Sequence, residues 1–354
     1  MSAHQMRYTM VHTYTGNGIA LNDQNQVLYS KRARLSAAEA KYFLATGDEE
    51  QVLPKGFEPR LLDNASRVIG YRDERIVVFD QDQFFDVGSG EVFDLNDRCQ
   101  IVGATTIDGK SFPCLWDREG ISWIGENPGV STAINNLGDM LIVETDDFNE
   151  YELADDEPFE TVMPHSRSFC RTKGKLIPLL GLDKEESRVK AMDIDDACRI
   201  VGYSLHSSPE VEELYEGEIM LRYGVSIGSK PIRWDSFEPS LIPPPRYSFG
   251  ATATQLSAKG VITGCASVFG GDLPTCFCYA YNDKPFWSIG SDSFYIDSTT
   301  WGVLYMNTVH GINRDGYLLV SNPSSQELVL FKENPNYEQD YLDWMEKVRK
   351  AAQG

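Results

Sequence analysis

Ala191-Met192-Asp193-Ile194-Asp195-Asp196-Ala197-Cys198-Arg199-Ile200-Val201-Gly202-Tyr203 carries an apolar residue, a pair of acids, a short turn and then a second apolar run. The same cadence recurs in six further places. Leu21-Asn22-Asp23 is followed by Val27-Leu28, Leu62-Asp63-Asn64 by Val68-Ile69-Gly70-Tyr71, and Leu95-Asn96-Asp97 by Ile101-Val102-Gly103. Ile134-Asn135-Asn136 leads to Met140-Leu141, Leu256-Ser257-Ala258 to Ile262-Thr263-Gly264, and Ile312-Asn313-Arg314 to Leu318-Leu319. In every copy the second run starts five places after the first Asx-type residue. A constant offset in seven places marks an internal repeat.

Each copy reads as a hairpin. Asn and Asp bond their own downstream backbone and tolerate left-handed conformations, and Gly138, Gly260 and Gly316 supply positive φ more cheaply still. Both flanking runs are apolar, so a hairpin of this kind needs neighbours on both faces and cannot stand alone. A third strand follows each hairpin, as in Arg75-Ile76-Val77-Val78-Phe79-Asp80, Phe112-Pro113-Cys114-Leu115-Trp116-Asp117 and Pro231-Ile232-Arg233-Trp234-Asp235. A fourth is clearest in Phe84–Gly88, Ile121–Gly125, Leu176–Gly181 and Phe286–Gly290. Four strands in about fifty residues is the size of a propeller blade.

The expected fold is therefore all-β: a seven-bladed β-propeller of four-stranded antiparallel blades over 1–334. Met6–His12 has no blade of its own and fits as the outer strand of the last one, which would hide an exposed edge. Six blades stays open as the alternative, because the Ser257 copy is the weakest. Over 335–354, Tyr337, Tyr341, Trp344, Met345 and Val348 recur at helical spacing, which predicts a C-terminal amphipathic helix packed on the propeller or offered to a partner.

Thr132-Ala133-Ile134-Asn135-Asn136-Leu137-Gly138 and the Ala191–Tyr203 stretch resemble the bacterial HAF-type repeat, which runs A-x-x-I-N-x-x-G-x-I-V-G-Y before a strand ending in Trp and another ending in Leu-Gly. Phe112–Asp117 and Ile121–Gly125 are similar to those later elements. The resemblance is good over 60–140, fair over 190–235 and thin elsewhere. It implies a propeller-like fold and no catalytic residues. Family members are often exported, but this chain shows no signal peptide, so export is not carried over.

Spacing between successive turns grows from 33 residues (Asp63 to Asn96) to 62 (Asp195 to Ser257), so the later units carry insertions. These fall near Glu144–Arg167, His206–Lys230 and Ser291–Val309. In an antiparallel blade all three leave from the face opposite the Asx turns. Propellers map insertions onto a binding face, and function concentrates on loops held by rigid sheet. The first insertion is acidic, with Glu144, Asp146, Asp147, Glu150, Asp155 and Asp156; the second adds Glu212 and Glu213; the third carries Phe294, Tyr295, Trp301 and Tyr305. The expected function is protein binding through these acidic and aromatic loops, with Asp146, Asp147, Glu150, Asp155, Asp156, Glu212, Glu213, Trp301 and Tyr305 as the contact residues.

The alternative is a hydrolase, lyase or cyclase working at the channel mouth on the same face. His165, His206 and His310, with Asp146 and Asp147, are its candidate groups. No HExxH, GxSxG or phosphate-gripping glycine loop supports it.

The chain holds 53 acidic against 32 basic residues, a formal net charge of −21. That excess repels nucleic acid and anionic membranes and suits a partner with a basic surface. No window reaches the length of a membrane span. Seven scattered cysteines, an odd number, fit a reducing compartment, and the lone Cys276-Phe277-Cys278 is too sparse for a metal site. The chain is expected to be a monomer, cytoplasmic or delivered by a specialised route, with neither cofactor nor metal.

Overall fold

Each Asx turn closes in the same way. In every copy the N–H three residues after the first turn residue bonds back to that residue's carbonyl, for example Cys99 to Asn96 at 2.9 Å and Gly138 to Asn135 at 3.1 Å. The residue making that bond is left-handed, with φ 60° at Asn25, 58° at Cys99 and Cys198, and 87° at Gly138. Glycine is therefore not required there; the side chain at the first position makes the turn. Asn96 Oδ1 accepts the N–H groups of Arg98 and Gln100, both at 3.1 Å, and Asp195 Oδ1 accepts those of Ala197 and Arg199. Those amides would otherwise be unsatisfied in the tight loop.

The computed structural model describes residues 8–31, 40–117, 120–145, 166–184, 188–207, 227–243, 248–270, 273–281, 308–322, 327–336, and 339, 346 and 350. Its strands form antiparallel sheets in chain order. The first blade comprises β2 (Asn17–Leu21), β3 (Val27–Lys31), β4 (Lys41–Thr46) and β5 (Glu49–Val52). The second has β6 (Glu58–Leu62), β7 (Val68–Arg72), β8 (Arg75–Asp80) and β9 (Gln83–Gly88). The third has β10 (Glu91–Leu95), β11 (Ile101–Ile107), β12 (Lys110–Asp117) and β13 (Gly120–Trp123). The fourth has β14 (Gly129–Ile134), β15 (Met140–Thr145), β16 (Ser166–Thr172) and β17 (Lys175–Leu179). The fifth has β18 (Val189–Ile194), β19 (Ile200–Ser207), β20 (Ile227–Asp235) and β21 (Glu238–Leu241). A three-stranded sheet follows, β22 (Ser248–Leu256), β23 (Ile262–Gly270) and β24 (Leu273–Tyr281). The last blade joins β25 (Thr308–Ile312), β26 (Leu318–Asn322) and β27 (Glu327–Glu333) to the N-terminal strand β1 (Tyr8–Thr15). Strand β1 pairs antiparallel with β27, Thr15 opposite Glu327, so the two ends of the chain share one sheet.

The expected set of seven four-stranded blades with a terminal helix is thus corrected. Among the described residues six sheets have four strands, the Ser257 copy has three, and every continuous element is a strand, with helical backbone only at the isolated residues Gln339, Glu346 and Lys350. At its turn the Ser257 hydroxyl accepts the Val261 N–H at 3.0 Å. The fourth strand expected at Phe286–Gly290 lies outside the described residues. So does most of the expected helix, of which only Gln339, Glu346 and Lys350 are described beyond Asn336.

Between every two neighbouring sheets lies an apolar layer. Leu28, Phe57, Val68 and Phe79 fill the first junction; Ala133, Leu141, Ala191, Ile232 and Trp234 fill the one between the fourth and fifth blades. Tyr14, Leu319 and Leu328 pack against Val27, Tyr29 and Phe43, joining the last blade to the first. Hairpins that are apolar on both sides gain their stability from this stacking.

Candidate functional site

Chain passes from turn to turn around the ring through side-chain amides. Asn22 Nδ2 donates to the Asp63 carbonyl at 2.9 Å, Asn96 to Asn135 at 3.1 Å, Asn135 to Asp195 at 3.0 Å, and Asn313 to Asn22 at 3.2 Å. Where the first position is Asp, which has no proton to give, an arginine four residues on replaces the amide. Arg199 binds the Asp195 carboxylate at 2.7 Å and donates to the Ala258 carbonyl at 2.7 Å; Arg67 does the same between Asp63 and the Asp97 carbonyl. Asn with a polar or small partner, or Asp with Arg, are two solutions to one inter-blade bond.

Arg314 closes the turn end of the channel. From the last blade it reaches Asp97 at 2.8 Å, Asp23 at 3.2 Å and Asp196 at 3.4 Å, which belong to the third, first and fifth blades. Asn64 ties Asp23 to Asp97 at 2.7 and 2.6 Å. The guanidinium therefore spans the axis.

Above this stopper the inner strands enclose a cavity of about 880 Å³. Each inner strand slips register by one residue at the same place, three before its first turn residue. The extra residues are Ile19, Arg60, Phe93, Thr132, Met192, Thr254 and His310, and all line the cavity. Such bulges re-aim side chains and recur beside functional sites.

The next residue along is Ala20, Leu61, Asp94, Ala133, Asp193, Gln255 or Gly311. Two carboxyls thus stand where the other sheets carry small, apolar or amide side chains. Asp94 Oδ2 accepts the Ile134 N–H at 2.8 Å and Asp193 Oδ2 the Leu256 N–H at 2.7 Å, each from the following sheet. Burial, with the neighbouring Asp193 charge, pushes the Asp94 carboxyl up to about 8. Burial also raises Asp193, to about 6, against the pull of the Leu256 and Ile194 amides. At neutral pH Asp94 holds its proton and Asp193 has largely lost its own.

This arrangement has a testable cost. A carboxyl with a raised folded-state pKa favours the folded protein fully only below its unfolded value, near 4, and loses that contribution as pH climbs to about 8. Asp94→Asn keeps an oxygen for the Ile134 amide but cannot ionise. The difference in denaturant midpoint, variant minus wild type, is expected to rise between pH 4 and 8. A flat difference would show that the Asp94 carboxyl keeps its ordinary proton affinity in the folded protein.

His310 lines the cavity, with Nε2 2.7 Å from Ser321 Oγ, and burial lowers its pKa to about 4, so it is neutral near pH 7. Its ring fills the space over Gly18, where a Cβ would sit 2.7 Å from His310 Cδ2. His206 falls in β19, paired with Gly228, its side chain outside the description. His165, Asp146, Asp147, Glu150, Asp155, Asp156, Glu212, Glu213, Trp301 and Tyr305 lie outside the described residues, as do Phe294 and Tyr295. Glu144 is corrected: it belongs to β15 and is buried, held by Arg167 at 2.8 Å and Asn127 at 2.9 Å, so it is strand and not acidic loop. Strands β15 and β19 end on the face opposite the Asx turns, where the first two insertions begin; the start of the third lies outside the described residues.

Asp94 and Asp193 were not among the expected site residues. Aligning the seven copies residue by residue would have found them, since only two copies place an acid there. Among the described residues no group of three or more His, Cys, Asp or Glu side chains is placed to hold a metal ion, and no helix is long and apolar enough to cross a membrane.

The β-propeller domain of the Trilobed protease from Pyrococcus furiosus superposes with a TM-score of 0.58 at 13% identity, over 92% of this chain and 96% of that one. That domain is described as having an open velcro topology, whereas β1 and β27 pair here. XC5397 from Xanthomonas campestris, described as a gluconolactonase, matches with a TM-score of 0.36 at 9% identity over 94% of each chain. The first is a likeness of fold alone, and the second is too distant to bear on function. No family model matches the chain, and no curated protein matches it. The propeller fold implied by the HAF-type resemblance is present; membership of that family is not shown.

Proposed function

We propose that the protein is an enzyme acting on a small polar substrate in its central channel, by hydrolysis or elimination, with Asp94 as proton donor and Asp193 as base. One observation carries this: two carboxyls of unlike proton affinity share the wall of a closed-bottomed cavity, at a position where the other sheets manage without an acid. Buried acids destabilise a scaffold, and pairs whose environments separate their proton affinities divide naturally into acid and base. With Arg314 across the turn end, substrate would enter from the face that bears the insertions. Phe93 and Met192 supply apolar wall, and Arg60 and Lys190 charge, for orienting it.

The test is a screen of neutral glycosides, esters and polyols against the full chain, followed by Asp94→Asn and Asp193→Asn on any substrate found. Each variant should lower kcat about 100-fold or more while leaving the fold intact. The wild-type rate should be bell-shaped, with limbs near 6 and 8. Unchanged turnover in both variants would remove the carboxyls from the chemistry.

A second reading has its own support. The acidic insertions begin on that same face in a chain of net charge −21, which suits capture of a basic protein surface. Deleting 146–157 should then weaken binding of an oligolysine peptide at low salt and spare catalysis; equal binding would dismiss it.

A further inference from the structure

We propose that Cys170 and Cys198 form a reversible disulfide under peroxide, stapling the fourth blade to the fifth. Cys170 lies on β16, fully buried, and Cys198 at the left-handed position of the fifth blade's turn, half-buried. Both sulfurs belong to the apolar layer between these two blades. The Cys170 thiol donates toward the Cys198 sulfur, so no side chain separates them.

The repeat supplies an internal comparison. Cys99 occupies the same turn position in the third blade, but the structural equivalent of Cys170 in the preceding blade is Val78. Two sulfurs therefore meet across a blade junction at one of these two turns and not at the other.

The chemistry divides by exposure. Hydrogen peroxide meets the half-exposed Cys198 first; its thiolate attacks one peroxide oxygen, expels hydroxide and becomes a sulfenic acid. The Cys170 sulfur then displaces water from Cys198, leaving the S–S bond. Two thiols and one peroxide thus give one disulfide and two waters. Burial raises the pKa of both thiols, so the reaction should quicken as pH rises above neutral. No part of this depends on the proposed enzyme activity.

The experiment treats the reduced full-length protein with a small excess of hydrogen peroxide at pH 8.5, blocks remaining thiols with N-ethylmaleimide in denaturant, and maps peptides by mass spectrometry. The expected product is a single cross-link between the Cys170 and Cys198 peptides, lost on dithiothreitol treatment. Oxidised wild type should melt higher than reduced, and Cys198→Ser should melt alike in both conditions. Cys170→Ala, which leaves the turn untouched, should convert Cys198 to sulfinic acid instead. Full alkylation of both cysteines after peroxide, over-oxidation of Cys198 in wild type, or a cross-link to any other cysteine would overturn the proposal.

Discussion

Asn135→Asp is expected to cost about 2 kcal/mol or more of unfolding free energy, and adding Asp139→Arg to recover most of it. In the wild type, Asn135 Nδ2 donates to the Asp195 carbonyl at 3.0 Å and to Asp139 Oδ2 at 3.2 Å, in a site only 4% exposed. A carboxylate there would face two acceptors with no proton between them. Its other oxygen would still hold the turn amides of Leu137 and Asp139, so the loss falls on the inter-blade bond and the contact with the Asp139 carboxylate. The double variant recreates the pairing of Asp195 with Arg199, in which the guanidinium neutralises the acid and reaches the next sheet. Urea midpoints of the four proteins in this cycle measure the coupling. Additive effects would mean that the two turn chemistries are not interchangeable.

Gly103→Ala is expected to destabilise by about 3 kcal/mol, a large share of the roughly 5–15 kcal/mol that holds an ordinary chain folded. A Cβ at this position would lie 1.9 Å from the Glu91 carbonyl oxygen and 3.1 Å from the Trp116 ring, and backbone cannot move aside as a side chain can. Gly70 and Gly202 stand in the same place in their blades, 2.2 and 2.1 Å from the carbonyls of Glu58 and Lys190. Gly109→Ala is the control. Its turn has φ 78° with open space around the missing Cβ, so that change should cost only about 1 kcal/mol. Equal thermal shifts for the two variants would show that crowding at Gly103 is relieved by movement of the sheet.

The contrast between these sites shows what a single sequence discloses. The hairpin at each Asx pair was legible because it is local: side chain, turn amides and apolar flanks lie within ten residues, as at Asn96–Gln100. The outer strands β9 and β13, and the N-terminal strand β1 beside β27, were also legible, from apolar runs with no other place to go. What joins the blades was not. The Asn135 amide meets Asp195 sixty residues away, and Arg314 meets Asp97 across the axis at a separation of 217. No periodicity encodes such partners, although the exchange of Asn for Asp with Arg four residues on is a trace of them. The functional reading followed the insertions because length and charge are visible in a sequence. It passed over Asp94 and Asp193, which look like ordinary strand acids until the bulge brings them to the channel wall.

The most direct measurement is a carboxyl-carbon NMR titration of the full chain, with Asp94→Asn and Asp193→Asn providing the assignments. The two half-buried carboxyls lining the channel should titrate in separate steps, one near 8 and one near 6. If both lose their protons near 4, as exposed aspartates do, the channel wall holds no acid and base.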